Sequence, residues 1–143
     1  MKFISKFALL FVIAAILYLL LSGNLLSASP VIITLQLLAL ALSIWARRTF
    51  LKGQFSIHAN PGEGPLLQNG PYKFIRHPMY TFALIIVWSA TLGHWSLLVL
   101  IISLLVTSVA LVRILTEEEF LRAKYPEYVR YASKTKRLIP FII

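Results

Sequence analysis

Two short clusters in this chain carry side chains that could do chemistry. The first is Arg76-His77-Pro78-Met79-Tyr80, preceded by Gly70-Pro71-Tyr72. Pro78 suits the first turn of a helix, where a missing N–H does no harm, so His77 falls at the cap. A helix start offers N–H donors and partial positive charge, a place for a carboxylate or phosphate. The same residues would also serve as an interfacial anchor, with Arg76 snorkelling and Tyr80 in an aromatic belt. The second cluster is Arg113 followed by Glu117, Glu118 and Glu119. Arg113 and Glu117 are four residues apart and share one helix face. As a surface pair they would be worth little. In a site, Glu117 would bind a cationic or hydroxyl-bearing ligand while Arg113 holds an anion. Glu118 and Glu119 point elsewhere on the helix and are expected in solvent.

The elements that position these clusters are apolar. The chain has 143 residues, 59% of them hydrophobic, and no cysteine. That is too apolar for an ordinary soluble domain, and it leaves neither a disulfide framework nor a thiolate metal site. Residues 7 to 46 and 77 to 112 contain no Lys, Arg, Asp or Glu. A helix needs ~20 apolar residues to span a bilayer, so each run fits two helices with a turn between. The turns are expected at Ser22-Gly23-Asn24 through Ser29-Pro30 and at Gly93-His94. The spacing predicts an all-α integral membrane protein with four spans, roughly 4–22, 31–48, 78–92 and 95–115, in two hairpins. All 14 Lys and Arg residues then fall at one end. The positive-inside rule puts both termini and the central loop in the cytoplasm, in the cell (inner) membrane. The net charge of +9 reads as this basic membrane face, where anionic head groups gather, and not as a nucleic-acid surface. The first segment is longer than a signal-peptide core and is read as a retained helix.

One domain, 1–143, is expected, with a scaffold hairpin at 1–48 and the functional part at 49–143. Gln36 is the strongly polar mid-span residue of the scaffold and a candidate interhelical hydrogen-bond donor. The loop at 49–77 includes Asn60-Pro61-Gly62-Glu63-Gly64-Pro65 and is long enough to suggest a role. Beyond Leu115 the helix continues to Lys124, with Thr116 to Glu119 resembling a capping box. After Pro126, residues 127–136 read as a basic amphipathic cytoplasmic helix whose Tyr125, Tyr128 and Tyr131 suit the membrane interface. The apolar end, 138–143, would dip back toward the membrane. His58, His77 and His94 lack metal-ligand spacing, and no nucleophile elbow, zinc-protease helix or P-loop is present. A transporter is disfavoured, because the apolar runs hold no ion-relaying side chain.

With these motifs in place, the chain resembles the isoprenylcysteine carboxyl methyltransferase and phospholipid methyltransferase family over about residues 50 to 143. Gly70-Pro71-Tyr72 with Arg76-His77-Pro78-Met79-Tyr80 matches its Arg-His-Pro-x-Tyr motif, and Glu117-Glu118-Glu119-Phe120-Leu121 its Glu-Glu motif. The tail from Tyr125 to Phe141 looks like the family's Tyr-rich, Pro-ending terminus. The resemblance implies S-adenosylmethionine as cofactor, yielding S-adenosylhomocysteine. It implies cofactor contacts from Leu66, Leu67, Tyr72, His77, Pro78, Met79, Tyr80 and Glu117, with Arg113 meeting the substrate as the catalytic residue. Thr81 is a departure, since many relatives carry Gly there.

Methyl transfer from a sulfonium is an in-line displacement that requires positioning and exclusion of water. A carboxylate acceptor is already ionised at neutral pH and needs only an orienting cation. The expectation is therefore carboxyl O-methylation of a lipid-like, isoprenylcysteine-type acceptor. Phospholipid N-methylation and a non-enzymatic membrane binding protein stand as alternatives.

Overall fold

The computed structural model describes residues 2–50 and 64–139, with side chains from Phe7 onward. Asn60 to Glu63 of the loop and Pro140 to Ile143 of the tail lie outside the described residues. Among the described residues there are five α-helices, one 3-10 turn and no strand. The helices are α1 (Lys2–Leu21), α2 (Pro30–Arg48), α3 (Pro78–Gly93), α4 (Leu97–Lys124) and α5 (Tyr128–Lys134), with the 3-10 turn at Gly70–Lys73. The first four coincide with the four apolar segments. Two of them, α2 and α4, are long and apolar enough to cross a membrane.

Local chemistry sets the helix boundaries. Pro30 opens α2 after Ser29, and Pro78 opens α3 after His77; both prolines sit where no intrahelical N–H is needed. Ser96 caps α4, its hydroxyl accepting from the Val99 N–H at 3.2 Å. Pro126 follows the end of α4, since it disfavours helical backbone at Tyr125. Thr116 to Glu119 does not start a helix. Leu97–Lys124 is continuous, and the Thr116 hydroxyl bonds back to the Val112 carbonyl at 2.9 Å, so no free helix N–H is there to be capped.

The helix α3 packs against α1, α2 and α4, and its small buried residues explain how. Ala83, Ala90, Ser89 and Thr91 let the neighbouring backbones approach. Ala83, Val87 and Ala90 meet Leu19, Val99 and Val106 in the core. The hydroxyls of Thr91 and Ser103 stand 2.8 Å apart, joining α3 to α4. Gln36 donates to Ser89 Oγ at 3.0 Å and to the Leu25 carbonyl at 2.8 Å, so it links α2 to α3 as its sequence position suggested. Large aliphatic side chains such as Leu10, Val31, Leu38, Leu97 and Val112 face outward, the pattern expected where lipid replaces water as the neighbour.

Both short interhelical turns meet at one end of the bundle. His94 Nε2 lies 2.6 Å from the Leu26 carbonyl, and a Cβ at Gly93 would come within 2.8 Å of Ser27 Cβ. The opposite end collects the C-terminal ends of α2 and α4, the start of α3, and the turn at Gly70. Gly70 has φ +57°, and a Cβ there would stand 2.6 Å from Thr49 Oγ1 and 3.2 Å from Trp45 Nε1. Left-handed backbone costs a residue with a Cβ about 1–2 kcal/mol. Gly70→Ala should therefore lower stability by about 1–3 kcal/mol, the clash adding to the backbone term. A detergent melting curve measures it, and Thr49→Ala in the same chain should recover only the steric part.

Candidate functional site

The charged end of the bundle brings the two sequence clusters together. Tyr80, in the first turn of α3, donates its hydroxyl to Glu117 Oε1 at 2.6 Å. Arg113 Nε donates to the same oxygen at 3.2 Å. The other Glu117 oxygen lies 3.7 Å from His77 Nδ1. His77 and Arg113 are each 5% exposed, while the Glu117 side chain keeps 21% exposure. A carboxylate is thus fixed by one phenol and one guanidinium, beside an imidazole, with part of its surface open to a ligand. The His77 and Tyr80 rings stand 5.7 Å apart between centroids.

Tyr72 joins this group through the 3-10 turn. It is buried, and burial pushes its phenol well above the usual range, with the Tyr131 and Glu117 charges adding to the effect. It stays a neutral donor at any physiological pH. Its ring meets Phe50 edge-on at 5.9 Å. Pro78 is buried at the first turn of α3 and Met79 is half-buried beside it. Leu66 and Leu67 are half-buried in the segment before the 3-10 turn, and hydrogen bonding does not fix them relative to Glu117.

The start of α3 differs from the anion site expected there. Its donors turn to the C-terminal tail. Arg76 N–H donates to the Lys136 carbonyl at 2.7 Å and His77 N–H to the Arg137 carbonyl at 3.0 Å, while Lys136 N–H returns to Phe74 at 3.2 Å. These bonds make a short parallel bridge between Ile75 and Lys136. Pro78 has no N–H, and the N–H groups of Tyr80 and Thr81 both donate to the His77 carbonyl. Thr81 donates its hydroxyl to the Leu138 carbonyl at 2.8 Å.

Glu118 overturns a second expectation. It is not solvated: it is 3% exposed. Arg76 Nε donates to its Oε1 at 2.9 Å, and Arg137 Nη2 to its Oε2 at 3.0 Å. His77 Nε2 stands 3.5 Å from Oε1 and finds no hydrogen-bond partner among the described residues. Burial works against ionisation, but the neighbouring His77, Arg137 and Arg76 outweigh it and hold the carboxyl well below the usual range. Glu119 is exposed, as expected.

The helix α5 also faces inward. Tyr128 and Tyr131 are buried, and Tyr131 donates to the Tyr72 carbonyl at 2.8 Å. Burial pushes the Tyr131 phenol up to about 12 despite the nearby Arg76. These tyrosines pack on the protein, so they are not the interface-facing residues their periodicity suggested. Tyr125 is likewise used internally, reaching the Gly64 carbonyl at 2.8 Å.

Apolar helices, two of them long and apolar enough to cross a membrane, with a buried charged cluster at one end make this an all-helical chain of membrane type among the described residues. The chain belongs to the phospholipid methyltransferase family, whose model matches residues 29–128. The matched region contains every residue of the Glu117 cluster. The chain is also similar to the cobalt-zinc-cadmium resistance protein CzcN of Cupriavidus metallidurans, at 28% identity over 78% of this chain. It spans about half the length of that curated relative, 50%.

Proposed function

We propose that this chain is an S-adenosylmethionine-dependent methyltransferase acting on a lipid-like acceptor, with four membrane spans and the charged end of the bundle in the cytoplasm. The observation that carries the reading is Glu117, a partly open carboxylate held by Tyr80 and Arg113 beside His77. The residues present fit the cofactor. A fixed carboxylate and electron-rich rings suit a ligand bearing sulfonium and ammonium charges. Tyr72, Tyr80 and His77 would supply the rings, with Pro78 and Met79 at their base and Leu66 and Leu67 on the adenine side.

When bound, the cofactor supplies a methyl group activated by its sulfonium. The protein's own part is orientation and dryness. Tyr80 and Arg113 keep Glu117 in one rotamer, and buried His77 and Tyr72 exclude water from its flank. Arg113 orients an acceptor carboxylate, which needs no proton removed before it attacks. We therefore place carboxyl O-methylation of an isoprenylcysteine-type amphiphile first. The family's name favours a second reading, N-methylation of a phospholipid amine, in which Glu117 or His77 takes the amine proton. Nothing among the described residues carries the relative's metal resistance over as metal binding: no three His, Cys, Asp or Glu side chains gather into a ligand set.

Labelled cofactor offered with prenylcysteines, phospholipids and small carboxylate amphiphiles separates the readings. Label in a base-labile ester is the expected result. Label in a phospholipid amine moves the assignment to the second reading, and no transfer to any acceptor counts against both.

A further inference from the structure

The C-terminal segment 135–138 lies along 74–77, bridged at Ile75 and Lys136, and the ties of Arg76 and Arg137 pass next to His77. Arg76, on one side of His77, donates to Glu118 through Nε and to the Ala132 carbonyl through Nη1 at 2.9 Å. The same Nη1 meets the Thr135 carbonyl. Arg137 holds Glu118 through Nε and Nη2, and its carbonyl receives the His77 N–H. Glu118 thus grips the residue before His77 and the residue that caps the His77 backbone. Thr81 closes the arrangement one turn further on, bonding both the His77 and the Leu138 carbonyls.

We infer that Arg137 and Glu118 are positioning residues: they fasten the tail as a strap across the start of α3 and so fix the His77 imidazole against Glu117. The inference rests on the reading of His77 and Glu117 as parts of the cofactor site. Neither positioning residue is among the proposed cofactor or acceptor contacts, and Arg137 sits 60 residues from His77 in sequence.

The physical argument is one of freedom removed. His77 has backbone angles of −127° and 56°, neither helical nor extended, so its conformation depends on what its N–H and carbonyl bind. Its carbonyl is taken by α3 and its N–H by the strap. Its ring lies between two carboxylates at 3.5 and 3.7 Å, with no hydrogen bond to fix Nε2. The ring is therefore oriented by its backbone and by where Glu118 sits. Releasing Arg137 frees the strap carbonyl and lets Glu118 relax toward Arg76 or Arg122, the latter 3.9 Å away. An ångström of drift in a positioned group is enough to weaken a site substantially.

The test uses the full chain in detergent. Arg137→Ala is suitable because the Arg137 side chain is 39% exposed and its loss leaves Glu118 paired with Arg76. S-adenosylhomocysteine affinity by calorimetry should fall about tenfold, and the His77 imidazole resonances of ring-labelled protein should shift without ligand. Arg137→Lys should restore much of both. Arg130→Ala, on the exposed side of α5, should change neither. Affinity within about twofold of the parent chain overturns the inference, whether or not the resonance moves. An affinity loss with an unmoved resonance also overturns it, because Arg137 would then touch the ligand directly. A parent chain that binds no S-adenosylhomocysteine sinks the functional reading instead, and the His77 resonance alone then decides whether the strap positions the ring.

Discussion

Glu117→Ala is expected to abolish retention of S-adenosylhomocysteine, with a loss of about 100-fold or more in affinity by calorimetry. Removing one partner from a desolvated charge contact typically costs a few kcal/mol. Here the carboxylate would meet a cationic ligand in a site that Tyr80, Arg113 and His77 have already organised around it. The partners lose their purpose together: Tyr80 loses its 2.6 Å acceptor and Arg113 its carboxylate four residues on. Glu117→Gln separates charge from shape, since it keeps an acceptor for Tyr80 while removing the negative charge. It should bind more weakly than the parent and better than the alanine variant. His77→Ala should lose affinity as well, through the ring that flanks the carboxylate. Glu119→Ala, on the exposed face, serves as the control. Undiminished affinity in both Glu117→Ala and His77→Ala would remove the site from this end of the molecule.

The placement of the helices was legible because composition decides it. Two uncharged runs, broken by Ser-Gly-Asn and by Gly-His, leave little choice of boundary, and proline fixes the starts of α2 and α3. The Arg113–Glu117 pair was legible for a similar reason, since i, i+4 spacing puts both on one face before any tertiary contact is known. Glu118 was misread by the same rule. Spacing alone turns it away from Glu117, and on an isolated helix that direction is solvent. What fills it is Arg76, 42 residues earlier, and Arg137, 19 residues later, and no local pattern reports a tail folding back. One signal was available. The segment 122–137 is rich in cations, and the chain has only 5 acidic residues, so a buried carboxylate had partners at hand. Tyr128 and Tyr131 were misjudged through the opposite error, because an amphipathic stripe does not say whether its aromatic side meets lipid or protein. Thr81 stood out only as a departure from relatives, and its bond to Leu138 gives that departure a use.

Glu118→Ala should be the most destabilising single change at this end of the molecule. Breaking a buried ion pair from one side costs about 3–5 kcal/mol, because the surviving charge is left without compensation. Arg76, with 10% side-chain exposure, is the residue that would suffer; Arg137 and Arg122 reach water and lose less. The effect should carry a pH signature. The Glu118 carboxyl titrates lower in the folded chain than in the unfolded one, where a glutamate sits near about 4.3. Its contribution is therefore complete above that value and declines as pH falls below about 4, when the unfolded chain takes up the proton first. Thermal melts of the parent chain between about pH 3 and 7 should show a plateau and then a fall on the acid side. Glu118→Gln should lower the plateau and flatten the fall, since the titrating group is gone while an acceptor for Arg76 remains. Glu117 keeps its Tyr80 and Arg113 bonds in both chains, so the difference between the parent and Glu118→Gln isolates the Glu118 share. An acid limb equally steep in the parent and in Glu118→Gln would show that the clamp does not hold the tail in place.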